Sequence, residues 1–137
     1  MRVLCNLFLK YNIQFLLLSA ALLNSAIVFA SPITYKCTYM KYSSIDGLKK
    51  VDSKFELNFL LDPKSGKAYI TGNSGSEEVN IILNKLGKGI SFLEITGSGN
   101  VSVTTIDSDG NSAHSRNMII SRKLIPSQYY GICEIKQ

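Results

Sequence analysis

The chain has 137 residues, a formal net charge of +5 and a single histidine. This length suits one domain with a modest core. The basic residues form no run longer than a pair and do not alternate with aromatic side chains, so the composition argues against a nucleic-acid partner.

Residues 1–30 have the pattern of a secretory signal peptide. Arg2 and Lys10 are their only charged residues, an apolar stretch follows, and small residues precede a cut after Ala30. A retained membrane anchor is the alternative, but the apolar run is shorter than the roughly 20 residues that span a bilayer. We therefore expect a signal peptide at 1–30 and a single β domain at 31–137, with the membrane a partner only through an uncleaved leader.

Export would place the domain in an oxidising compartment, where an even number of cysteines normally pairs. After the leader only Cys37 and Cys133 remain, and they allow one bridge across most of the domain. Two free buried thiols are the alternative. A metal site lacks ligands, since there is no CxxC pair and only one histidine. We expect neither a metal nor a cofactor.

The rest of the chain has the alternation of short β-strands. Phe55, Leu57, Phe59 and Leu61 alternate with more polar residues, and Gly, Asn, Asp and Pro fill the gaps between such stretches. The stretch 76–88 also fits a helix, but we favour a strand because hairpins surround it. The predicted strands are 33–40, 53–62, 66–72, 78–83, 90–95, 101–106, 112–122 and 128–135.

The cysteines favour one architecture for these strands. Cys37 lies in the first predicted strand and Cys133 in the last, both on the apolar register. In a meander that closes on itself these strands become neighbours, and a bridge would hold the closure and remove exposed edges. We predict an all-β fold, a small antiparallel meander of about eight strands that forms a closed or nearly closed barrel with its ends joined by the disulfide. A two-sheet sandwich with the same bridge is the alternative.

The stretch GNSAHSRNM, residues 110–118, holds the histidine beside a serine. Neighbouring strand residues point to opposite faces, so Ser115 cannot serve His114 as a catalytic partner. One face of this hairpin instead carries four polar residues, which we call the hairpin patch. We interpret it as an ordinary solvated face of the sheet; the alternative is a site for an anion or polar ligand, with an arginine as donor. The residues of the hairpin patch are Ser102, Thr104, His114 and Arg116.

Two further stretches carry candidate acidic ligands or partners. Glu94 falls on the apolar register of its strand, so a buried Glu94 would need a cation, with Arg116 or Arg122 as candidates. The stretch DSDGN, residues 107–111, lacks the later ligands of a calcium loop and predicts a hairpin turn.

Two resemblances extend this interpretation. The run from VTTIDSDG to QYYGIC, residues 103–133, with its AHSR and PSQYYGIC segments, resembles the end of a group of small exported bacterial β-proteins. This likeness implies a bacterial source and no particular activity.

The chain is also similar to the periplasmic inhibitors of C-type lysozymes. It carries Tyr-x-Cys at 35–37 and a last-strand cysteine, and SGKAY at 65–69 resembles the SGxxY motif of that family. The resemblance implies a small barrel that inserts a loop into the lysozyme cleft. The loop residues would be Ser65, Gly66 and Tyr69.

We therefore expect an exported, non-enzymatic, monomeric binding protein, periplasmic or secreted, with a protein, a glycan or a small ligand as partner. The alternatives are an inhibitor of a lysozyme-like enzyme and a small hydrolase that uses His114. An open, polar-lined barrel interior would favour a small ligand, whereas a filled interior would direct attention to the loops and outer face.

Overall fold

A computed structural model describes residues 31–72 and 75–136, and the predicted signal peptide at 1–30 lies outside them. Each strand pairs antiparallel with the next, and β1 pairs with β8 to close a barrel. The predicted meander is confirmed, and the barrel rather than the sandwich is the architecture. The strands are β1 (Ile33–Ser44), β2 (Gly47–Asp62), β3 (Lys67–Gly72), β4 (Gly75–Asn84), β5 (Gly89–Ile95), β6 (Val101–Ile106), β7 (Asn111–Ile120) and β8 (Lys123–Lys136).

The predicted disulfide joins the first strand to the last. Cys37 and Cys133 lie directly opposite each other in the β1–β8 ladder, with their Cα atoms 3.9 Å apart, and both are buried. Gly110 packs against this seam, since its carbonyl accepts a 2.7 Å hydrogen bond from the Cys133 amide. A Cβ atom at Gly110 would lie only 2.7 Å from the Cys133 carbonyl oxygen. The closure is therefore covalent and closely packed.

The ambiguous stretch 76–88 forms part of β4 and the turn after it, which confirms the strand. The hairpin of β7 and β8 differs from expectation. Its turn lies at Ser121 and Arg122, both with positive φ (50° and 66°), as in the two-residue turns that suit twisted hairpins. The predicted strand 112–122 therefore extended too far, and the predicted gap between strands at 123–127 was wrong. Pro126 lies inside β8, beyond the last β1–β8 pair, where a missing amide hydrogen is tolerated.

Alternate residues of each strand point into the barrel, and the two ends of its interior differ. Near the β2–β3, β4–β5 and β6–β7 turns the interior is filled by apolar side chains, with the rings of Phe59 and Phe92 stacked at 4.4 Å. Toward the opposite end, which carries the tips of the β1–β2, β5–β6 and β7–β8 hairpins, polar side chains replace them. We call this second end the mouth. The buried core residues are Cys37, Tyr39, Phe59, Ala68, Ile70, Val79, Ile90, Phe92, Ile106 and Cys133.

Candidate functional site

The hairpin patch lies inside the barrel. Antiparallel pairing of β6 and β7 sets Ser102 opposite Arg116 and Thr104 opposite His114. Ser102, Thr104 and His114 are only 4%, 2% and 3% exposed, and Arg116 is half-buried. The interpretation as an ordinary solvated face was therefore wrong. Alternation predicts which residues share a face of a strand. A polar face is usually assumed to point to solvent, but on β7 the face with His114 and Arg116 points into the barrel.

His114 forms the centre of a buried polar layer. Its Nδ1 lies 2.8 Å from the Thr104 hydroxyl oxygen, and the rings of Tyr39, Phe55 and Tyr129 surround it at centroid distances of 5.8, 5.8 and 6.0 Å. Burial lowers the pKa of His114 to about 4, and the positive charge of Arg116 acts in the same direction. The imidazole is consequently neutral at neutral pH.

A second buried hydrogen bond completes this layer. The hydroxyl oxygens of Tyr39 and Ser112 lie 3.1 Å apart. Both residues pair with Gly131, where a Cβ atom would collide with the Thr38 carbonyl oxygen. Among the described residues, no buried side-chain nitrogen or oxygen lacks a hydrogen-bond partner. The buried polar atoms of this layer therefore all have partners, and His114 also lines the cavity at the mouth.

A cavity of about 430 Å³ opens at the mouth, next to His114. Its apolar wall is built by Phe55, Leu57 and Ile70 of β2 and β3. Its polar wall faces them from the other side of the barrel. That wall contains one row across β5, β6 and β7, made of Glu94, Ser102 and Arg116.

The polar wall carries opposite charges that do not form an ion pair. The Arg116 guanidinium donates to the Met118 sulfur at 2.8 Å, which is a weak acceptor, and no ion pair found among the described residues includes Arg116. Burial raises the pKa of Glu94 above its ordinary value, as does the Glu77 carboxylate, whereas Arg116 and the Ser102 hydroxyl lower it. Of the two cations that the sequence offered for Glu94, Arg116 and Arg122, Arg116 is therefore the one near it.

No protein-family model, curated protein or solved structure matches this chain. The assignment of a function therefore rests on the geometry of the site itself.

The three residues of the inhibitor motif lie away from this cavity. Ser65 and Gly66 belong to the β2–β3 turn at the opposite end of the barrel, where the Ser65 hydroxyl donates to Asp62 at 2.8 Å. Tyr69 lies in β3 between Leu60 and Glu78, on the register opposite to the inner residue Ile70. The turn is short and held by its own hydrogen bonds. An inhibitory role for these residues stays a prediction.

A second hollow, of about 390 Å³, lies along β1, β7 and β8 outside the mouth cavity. Ser115 and Gln128 contribute to it, which places Ser115 away from the imidazole of His114. None of its lining residues is charged, so it offers less chemistry for recognition than the mouth. The lining residues are Ser43, Ser44, Ile45, Ser115, Asn117, Pro126, Ser127 and Gln128.

In the described part of the chain, no group of three or more His, Cys, Asp or Glu side chains could hold a metal ion.

Residues 31–72 and 75–136 contain no helix long and apolar enough to cross a membrane.

Sequence reasoning missed the apolar wall of the cavity. Phe55 and Leu57 lie on the inner register of β2, which faces β6 because strands four places apart are opposite in an eight-stranded barrel. A closed eight-stranded barrel, once assumed, would therefore have predicted that Phe55 and Leu57 face Ser102 and Thr104 across the interior.

Proposed function

We propose that the protein is an exported, non-enzymatic binding protein that holds a small amphiphilic ligand in the mouth of its barrel. The observation that carries this proposal is the cavity of about 430 Å³ with one apolar and one charged wall. Its volume falls in the range of about 300–1,000 Å³ typical of small-molecule sites, which combine an apolar lining with a few polar groups.

Export is supported by two features of the chain. The Cys37–Cys133 bridge is the kind of covalent link that persists in oxidising compartments. The pattern at 1–30 predicts a leader that would direct the domain there. Both features support a periplasmic or secreted location.

A structural role for His114 supports a binding protein over a hydrolase. A general base works best with a pKa near the operating pH, whereas burial lowers the pKa of His114 to about 4. Its Nδ1 contacts the Thr104 hydroxyl rather than a carboxylate that would orient it. If a small ester substrate is turned over, loss of that turnover in His114→Ala would favour the hydrolase instead.

The cavity is tested by filling it. Leu57 lines the cavity from β2, whereas Leu60 of the same strand points outward, so Leu57→Trp and Leu60→Trp add the same side chain on opposite faces. Isothermal titration calorimetry with 1-anilinonaphthalene-8-sulfonate, an apolar anion, should show saturable binding to the parent protein and to Leu60→Trp. Leu57→Trp should bind at least tenfold more weakly. Absent binding, or equal binding by the two variants, would overturn the proposal.

Inhibition of a lysozyme-like enzyme is the second candidate, favoured by the SGKAY turn at the end of the barrel away from the cavity. A C-type lysozyme assayed with excess protein should lose activity, and Tyr69→Ala or Ser65→Ala should restore it. Unchanged lysozyme activity at high protein excess would exclude this candidate.

A further inference from the structure

The cation of the mouth cavity has unused hydrogen-bonding capacity. Arg116 projects from the inner register of β7, is half-buried and contacts the weak acceptor Met118. A guanidinium carries several N–H donors, and a cation partly removed from water is stabilised by an anionic partner. No described carboxylate lies close enough to form that ion pair. Arg116 therefore has donors to offer to whatever occupies the cavity.

The neighbours of Arg116 in its row complement it. Ser102 lies between Arg116 and Glu94, where its hydroxyl hydrogen-bonds the Glu94 carboxyl group. A neutral Glu94 can be the donor in that bond, which leaves the Ser102 O–H free to donate to a ligand. Glu94 is partly shielded from water and close to the carboxylate of Glu77. Both influences favour its neutral form, in which a carboxyl group also donates a hydrogen bond.

We propose that the ligand carries a carboxylate that binds Arg116 and the Ser102 hydroxyl while its apolar part lies against Phe55, Leu57 and Ile70. The proposal rests on the proposed function, because it names the ligand class of the same cavity. A carboxylate matches the planar donor fork of a single arginine. A phosphate dianion would place more negative charge beside the two glutamates than one guanidinium offsets.

The ligand carboxylate and Glu94 would then be neighbours of like charge. Two such groups share a proton, so we expect octanoate binding to take up a proton and to tighten as the pH is lowered. The ionisable groups around Glu94 are Glu77, Arg116 and the neutral His114. Glu94→Gln removes the like charge, so it should strengthen octanoate binding and reduce its pH dependence.

The head group is tested with octanoate, octanol and octylamine, which share one chain length. Calorimetry should show that octanoate binds the parent protein at least tenfold more tightly than octanol, with octylamine the weakest. Arg116→Gln should weaken octanoate binding by roughly ten- to a hundredfold, the range for a hydrogen bond to a charged group, and leave octanol unchanged. Arg122→Gln is the matched control, because Arg122 lies exposed in the β7–β8 turn; it should change nothing.

The outcomes separate the head group from the cavity. If octanoate and octanol bind equally and Leu57→Trp abolishes both, the carboxylate preference is overturned, whereas the cavity remains the binding site. Tighter binding of octylamine, or weaker octanoate binding by Glu94→Gln, would make Glu94 the anchor and also overturn the proposal. If Arg116→Gln fails to fold, the effect of Glu94→Gln on octanoate binding and the relative affinities of the three compounds test the proposal instead. Absence of binding by all three compounds and by 1-anilinonaphthalene-8-sulfonate would reject the cavity itself.

Discussion

His114 provides a direct test of the buried polar layer because it is the only histidine in the chain. Burial lowers its pKa from the ordinary value of 6.5 to about 4. Between these values the unfolded chain binds a proton that the folded barrel does not. The stabilising effect of the neutral imidazole is therefore fully present above about pH 6.5 and is lost as the pH falls toward 4.

The size of this effect follows from the difference between the two pKa values. One pKa unit corresponds to about 1.4 kcal/mol, so the free energy of unfolding should fall by about 3 kcal/mol between pH 6.5 and pH 4 through His114 alone. His114→Gln cannot take up this proton and keeps a hydrogen-bonding group for Thr104. We expect that variant to lose much less stability over the same range, because the carboxyl groups titrate similarly in both proteins.

Urea unfolding, followed by far-ultraviolet circular dichroism at several pH values, measures this difference. Proton NMR of the single imidazole gives its pKa in the folded protein directly. Parallel stability profiles for the parent and His114→Gln, or an imidazole pKa near 6.5, would refute the buried, neutral histidine on which the polar layer depends.

Three further predictions concern the closure and packing of the barrel. Replacing both bridge cysteines by serine should lower the free energy of unfolding by up to about 4 kcal/mol, and equal urea midpoints with and without reductant would contradict this. Tyr39→Phe should cost about 1–2 kcal/mol in the same assay by leaving the Ser112 hydroxyl unpaired, and adding Ser112→Ala should recover part of that loss. Gly110→Ala should lower the thermal midpoint more than Gly99→Ala, since both have positive φ but only Gly110 lies against a carbonyl oxygen; equal midpoints would count against this packing.

The fold was predictable because two independent signals agreed. Alternation in stretches such as 53–62 indicated strands, and cysteines in the first and last strands indicated that these strands are neighbours. The extent of β7 and β8 was not predictable in this way. Ser121 and Arg122 are not typical of turns with positive φ, whereas Pro126 normally interrupts a strand.

The site was predictable only in part. Pairing across one hairpin brought Ser102 and Thr104 to the strand of His114, and the structure has this arrangement. Whether that face points into the barrel or to solvent was not predictable, because inward and outward residues both recur at every second position of a strand. The opposing apolar wall of Phe55 and Leu57 depends on closure, which brings together strands far apart in sequence.

The central claim is that the mouth cavity binds a small amphiphile, and NMR mapping tests it most directly. In ¹H–¹⁵N correlation spectra of the ¹⁵N-labelled protein titrated with octanoate, the largest saturable shifts should occur at the amides of Leu57, Ile70, Ser102 and Arg116. Absence of saturable shifts, or shifts centred on the outer hollow around Ser115, would contradict it.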